Sequence, residues 1–200
     1  MLKEHAKKIV YTAIGIFLFA LLYALKNTSY FTRASTFIFS VVMFFIVDYF
    51  FALNFKKRHY LIFILISAAG VLLSPLYFIS SSYDKILHLS SPFFISILIF
   101  FLINKLKTKF SIKLLLTISI VIALLTLFEI GEFTLDKLFD LKLQGVYLRD
   151  YSGVEKLNII MDKNDDTMID LILGTISALI FALAKITIFH YKRYILKEKV

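Results

Sequence analysis

About six apolar runs, each near the length needed to cross a bilayer, alternate with short basic segments along this chain. A spanning helix needs roughly 20 apolar residues. The runs over about 9–25, 34–54, 60–79, 84–104, 112–138 and 166–189 meet or approach that length. Of the 200 residues, 60% are hydrophobic, including 22 Phe and 11 Tyr. A soluble domain sits nearer half apolar, and one of this size has no interior large enough to hide the excess. The sequence therefore predicts an all-α fold: a polytopic transmembrane helical bundle in which residues 1–200 form a single domain.

The formal charge of +9 looks at first like a nucleic-acid signal. Its distribution says otherwise, because the basic residues cluster between apolar runs, which is the pattern of membrane topology. One set comprises Lys3, Lys7 and Lys8, then Lys56, Lys57 and Arg58, then Lys105, Lys107 and Lys109, and a basic tail from Lys192 to Lys199. The opposite set is sparser (Lys26, Arg33, Lys85, Lys142, Arg149, Lys156, Lys163) and partly offset by acids. The bias predicts both termini in the cytoplasm and the 139–165 loop outside. The first run follows a basic start but lacks a small-x-small cleavage site, so it reads as an uncleaved span. Cysteine is absent, which excludes a disulfide framework and a thiolate metal site.

The residues that do not fit a lipid-facing role are acidic. Glu129, Glu132 and Asp136 close the fifth run at a spacing that puts them on one helix face. Acids at a helix C-terminus oppose the macrodipole, so they need compensation from elsewhere. Asp84 and His88 open the fourth run one turn apart, and Asp166 and Asp170 open the sixth in the same way. At ~1.5 Å rise per residue, His88, Glu129 and Asp170 each lie ~22–26 Å from a basic marker (Lys105, Lys113, Lys185). In a core ~30 Å thick they share one level near the outer boundary. Polar groups at such depth face a bundle interior or a wet cavity. One extracytoplasmic cavity lined by five carboxylates and an imidazole is the expectation.

Like charges this close require a counter-charge or protons. Three solutions stand: a divalent metal of unknown identity, shared protons, or basic partners such as Lys85 and Arg149. For Asp84 and Asp166 alone, helix capping explains as much as chemistry does. Asp170 alone could be a solvated first-turn residue, and His88 alone a hydrogen-bonded interior histidine. Asp48 is expected to pair with the basic 56–58 segment, and His5, His59 and His190 carry no ligand set. Residues from Asp162 resemble the start of a calcium loop, but Thr167 and Leu173 replace the required Gly and Glu. No Gly-rich phosphate loop, HExxH or GxSxG is present.

Tyr83-Asp84-Lys85-x-x-His88, then Glu129-x-x-Glu132-Phe133, then Asp166-Thr167-x-x-Asp170 resembles the YjdF-type bacterial inner-membrane proteins, a family of unknown function. The resemblance spans about residues 80–185 in order and spacing. Met168, Leu171 and Phe133 stand where that family tends to have Gln, Met and Trp. A looser similarity to VanZ-like proteins, linked to glycopeptide resistance, implies envelope chemistry by analogy.

The functional expectation is a metal-dependent hydrolase or transferase acting on a lipid or envelope precursor. His88, Glu129, Glu132 and Asp170 would be its metal ligands, with Asp84 or Asp166 as general base or as orienter of His88. The partners are the bilayer and that substrate, not nucleic acid. A small proton- or cation-coupled transporter and a non-catalytic accessory protein are the alternatives.

Overall fold

The computed structural model describes residues 31–139, 142–149 and 157–198. The expected first span over 9–25 lies outside them, as does His5. The described chain is five α-helices and one small hairpin: α1 Phe31–Phe50, α2 Lys57–Ser67, α3 Tyr83–Ile103, α4 Phe110–Phe139, β1 Val146–Arg149, β2 Leu157–Met161 and α5 Lys163–Glu198. Four of the helices, α1, α3, α4 and α5, are long and apolar enough to cross a membrane. The chain divides into two units, one up to Leu76 and one from Tyr77 onward.

In the first unit α1 packs on α2 through Ala34, Phe37 and Val41 against Phe63, Ile64 and Ala68. The expected third span over 60–79 is only partly a regular helix. α2 ends at Ser67 and loosens into a π-helical turn over Ala68–Leu72 and a 3-10 turn over Ser74–Phe78. Pro75 explains the break: it has no N–H, and its ring crowds the carbonyl four residues earlier, that of Val71. The Ser74 hydroxyl donates to that carbonyl instead, at 2.8 Å. Asp48 is buried at the end of α1, where its carboxylate accepts from the Phe55 N–H at 3.1 Å and from the Tyr60 hydroxyl. The reversing turn itself uses the carboxylate, with Ala52 and Asn54 at positive φ beside it.

The second unit is built on α3, α4 and α5, which pack on one another pairwise. Its centre is lined by small residues: Ser96 from α3, Thr117 from α4, and Ser177, Ala178 and Ala182 from α5 are all buried. Small side chains let helices approach closely where lipid supplies no hydrophobic drive between them. At Gly174 the approach is close: a Cβ there would lie 2.5 Å from Leu125 Cδ1 and 3.0 Å from Cδ2. Phe181 fills the next layer, edge-on to Phe93 and Phe100 with centroids 5.8 Å away in each case.

Two boundaries differ from the sequence expectation. α5 begins at Lys163 rather than Asp166, because Asp162 is its cap: Asp162 Oδ1 accepts from the N–H groups of Asn164 and Asp165 at 2.9 and 3.0 Å. The 139–165 stretch, expected as loop, contains the antiparallel pair β1–β2, with Tyr147 opposite Ile159 and Arg149 opposite Leu157. Runs of four and five residues are too short for a periodicity signal to register.

Replacing Gly174 by Leu is expected to overpack the α4–α5 contact and cost about 1–3 kcal/mol. The readout is a lower melting temperature of the purified protein in detergent. An unchanged value would mean the two helices are not this close.

Candidate functional site: a buried carboxylate, imidazole and lysine cluster

α3 contributes three side chains from its first two turns. Asp84 and His88 are one turn apart, and Asp84 Oδ1 lies 3.5 Å from His88 Nε2. Lys85, between them in sequence, turns toward α5. Its Nζ donates to both oxygens of Asp170 at 2.9 Å, to Asp84 Oδ2 at 3.0 Å, and to Asp166 Oδ1. On its other side His88 faces α4 and α5: Nδ1 is 3.8 Å from Glu129 Oε1 and 4.0 Å from Asp170 Oδ1. Asp166 and Asp170 are 3% and 2% exposed, Glu129 5% and His88 8%, so the cluster is an interior one.

The three sequence-predicted pairs therefore converge. Asp84/His88, Glu129/Glu132 and Asp166/Asp170 come from three helices to one place. Glu132 stands at the margin. It is half-buried and within Coulombic range of Glu129, Asp84, Asp166 and Asp170, and it makes no hydrogen bond among the described residues. Of the two basic partners considered, Lys85 is at the centre, and Arg149 is exposed on β1. Asp166 is not a helix cap, since Asp162 fills that role. Ser82 precedes α3, and Asp84 sits inside its first turn, where the helix N-terminus favours an acid.

Asp136, the third acid on the α4 face, does different work. Its carboxylate accepts from the N–H groups of Leu143 and Gln144 at 2.6 and 3.2 Å, and from Lys163 Nζ at 3.0 Å. This ties the loop after α4 back over the helix ends. Held there, the Gly145 N–H donates to Asp166 Oδ2 at 2.7 Å, and the Gln144 amide donates to Thr167 Oγ1 at 2.9 Å. Gly145 has φ +88°, and a Cβ there would lie 3.1 Å from the Tyr147 ring and 3.2 Å from the Met161 carbonyl. Only glycine meets both demands. Gln144 was missed by sequence reasoning; its adjacency to a loop glycine was the only signal. Tyr77 was missed too. It stacks edge-on with Tyr83 at 5.1 Å and lies within Coulombic range of Asp84 and Glu132.

Among the described residues, one group has donor atoms gathered tightly enough to hold a metal ion: Asp84, His88 and Asp170, whose ligand atoms all lie within 4.8 Å of one another. Four apolar helices of spanning length and this buried charged cluster define a multi-pass integral membrane protein. Residues 7–191 match the family model described as "Predicted membrane protein (DUF2238)", and the chain belongs to that family. This agrees with the YjdF-type resemblance of its motifs. No curated protein and no solved structure matches the chain.

Removing Lys85 leaves buried carboxylates facing each other, a change that typically costs about 3–5 kcal/mol. Lys85→Met is expected to lower the melting temperature sharply, and adding Asp166→Asn is expected to recover part of the loss. Strictly additive losses in this double-mutant cycle would show that Lys85 and Asp166 do not interact.

Proposed function

We propose that this protein is a membrane-embedded, metal-dependent hydrolase or transferase. In this reading its site opens to the exterior and acts on a lipid or envelope precursor. The carrying observation is the convergence of Asp84, His88 and Asp170 within 4.8 Å. The three ligand atoms lie close enough for one divalent cation to be held by all of them, and an imidazole beside two carboxylates would suit a transition metal better than calcium. Glu129, 3.8 Å from His88 Nδ1, is the fourth donor in this reading. A divalent cation there supplies Lewis-acid polarisation of a phosphoryl or carbonyl oxygen.

The residues divide the remaining work. Asp84 and His88, 3.5 Å apart, would act together as ligands. Asp166 has its oxygens on Lys85 and the Gly145 N–H, so it positions rather than exchanges a proton. Glu132 is unencumbered by hydrogen bonds and at the margin of the cluster, so it is the group that takes a proton from an incoming nucleophile.

A second reading rests on Lys85. Its bonds to Asp84, Asp166 and Asp170 favour a charge lock with no ion, the signature of a non-catalytic accessory protein. The carrier reading is weaker. A transporter needs a polar route across, and the buried hydroxyls of Ser96 and Thr117 bond to their own helix backbone at Pro92 and Lys113. Metal analysis of the purified protein separates the first two. The metal reading expects stoichiometric metal, reduced at least about tenfold in Asp84→Asn/Asp170→Asn. Metal-free wild-type protein would leave only the charge lock.

We propose further that six spans place both termini in the cytoplasm and the β1–β2 hairpin outside. Lys105, Lys107 and Lys109 support this, because they join α3 to α4 at the end away from the cluster. The cysteine-free chain makes the test clean. Arg149→Cys is expected to react with an impermeant thiol reagent added to intact cells, and Lys107→Cys only after permeabilisation. The reverse pattern inverts the topology.

A further inference from the structure

At the opposite end of α3, α4 and α5 from the acidic cluster lies a cavity of about 400 Å³. Phe100 on its wall and Asp84 in the cluster belong to the same helix, so the two regions are ~24 Å apart along it. Three lysines line the cavity, one near the start of α4 (Lys113) and two on α5 (Lys185 and Lys192). Among the described residues, no carboxylate lines it.

Two of these lysines are held in place. Lys113 Nζ donates to the Asn104 carbonyl at 2.8 Å and to Asn104 Oδ1 at 3.1 Å, which fixes it across the α3–α4 turn. An ammonium has three N–H groups, so one remains for a ligand. Lys185 Nζ sits over the rings of Phe100, at 4.7 Å, and Phe181, at 5.4 Å. Lys185 and Lys192 are seven residues apart and share a helix face. Below them Phe110 stacks on Phe189 at 4.3 Å, and Phe100 meets Phe110 edge-on at 6.3 Å.

Cationic groups beside aromatic rings, where α3 ends and α4 begins, match one ligand chemistry. It is a phosphate group carried on an apolar chain. Basic pockets between spanning helices recognise anionic headgroups in this way. We propose that the cavity binds the phosphate headgroup of an anionic phospholipid. The lysines contact the phosphate, and the Phe100, Phe110 and Phe189 rings lie against the first acyl carbons. Inorganic phosphate offers the same charge but nothing for the rings, which is why the lipid is the occupant.

The test is native mass spectrometry of the full-length protein released from detergent micelles doped with phosphatidylglycerol, phosphatidylcholine or inorganic phosphate, with melting temperature as a second readout. Retention of phosphatidylglycerol with a raised melting temperature, and neither effect from the other two, is expected. Lys113→Gln/Lys185→Gln/Lys192→Gln is expected to weaken phosphatidylglycerol binding at least about tenfold. Lys192→Gln alone, at an exposed position that folding does not need, is expected to weaken it about fivefold. Lys105→Gln/Lys107→Gln removes charge from the same end but outside the cavity and should change little. Equal retention of phosphatidylcholine, displacement by inorganic phosphate, or equal losses in the cavity and control variants would each overturn the assignment.

Discussion

One ammonium group organises the second unit. Lys85 reaches from α3 to α5 and touches Asp84, Asp166 and Asp170 at once. Each buried ion costs several kcal/mol in lost hydration, and attraction repays this only with good geometry and satisfied hydrogen bonds. Lys85 has one charge to set against three carboxylates, with Glu129 and Glu132 close behind. Carboxylates therefore remain in excess in the cluster, which calls for protons or a further cation. That excess is the physical reason to look for an ion beside a lysine already present.

The loop after α4 depends on the same cluster. Asp136 gathers the loop backbone at Leu143 and Gln144, which carries Gly145 to Asp166, which in turn meets Lys85. The path from α4 through the loop to α5 and α3 is continuous in hydrogen bonds. Gly145 is where it tolerates least change, because its φ and its closeness to Tyr147 both demand the missing side chain. A loop tied this way covers the helix ends at the cluster and sets how a substrate or ion would reach it.

Much of this was legible in the sequence, for reasons that can be named. Hydropathy marked the membrane class and the long helices, since a span must satisfy its backbone internally. The i, i+3 and i, i+4 spacings of Asp84/His88, Glu129/Glu132 and Asp166/Asp170 marked faces, and depth counting put them level; the contacts of His88 to Glu129 and Asp170 realise this. What spacing could not give was the partner of each acid. Lys85 neighbours Asp84 in sequence, yet its hold on Asp170 depends on how closely α3 and α5 pack, and no periodicity encodes that. Asp136 shares the α4 face with Glu129, yet it serves the loop, because about two further helical turns carry it past the cluster to the loop backbone. The hairpin and the π-helical turn are local departures too short for pattern reading, although Pro75 announced the second.

The acidic end of α3, α4 and α5 has a cause beyond topology. The three helices run up, down and up, so the cluster end holds the N-termini of α3 and α5 and the C-terminus of α4. A helix N-terminus carries a partial positive charge and a C-terminus a partial negative one, each about half a unit. Two positive ends outweigh one negative end, which offsets the unfavourable placement of Glu129, Glu132 and Asp136 near the end of α4. Asp84 in the first turn of α3 and Asp165 and Asp166 in that of α5 use the same field. At the other end the charges found are Lys113, near the start of α4, and Lys185 and Lys192 on α5. The helix ends gathered at the cluster thus favour an acidic centre electrostatically, before any ligand is considered.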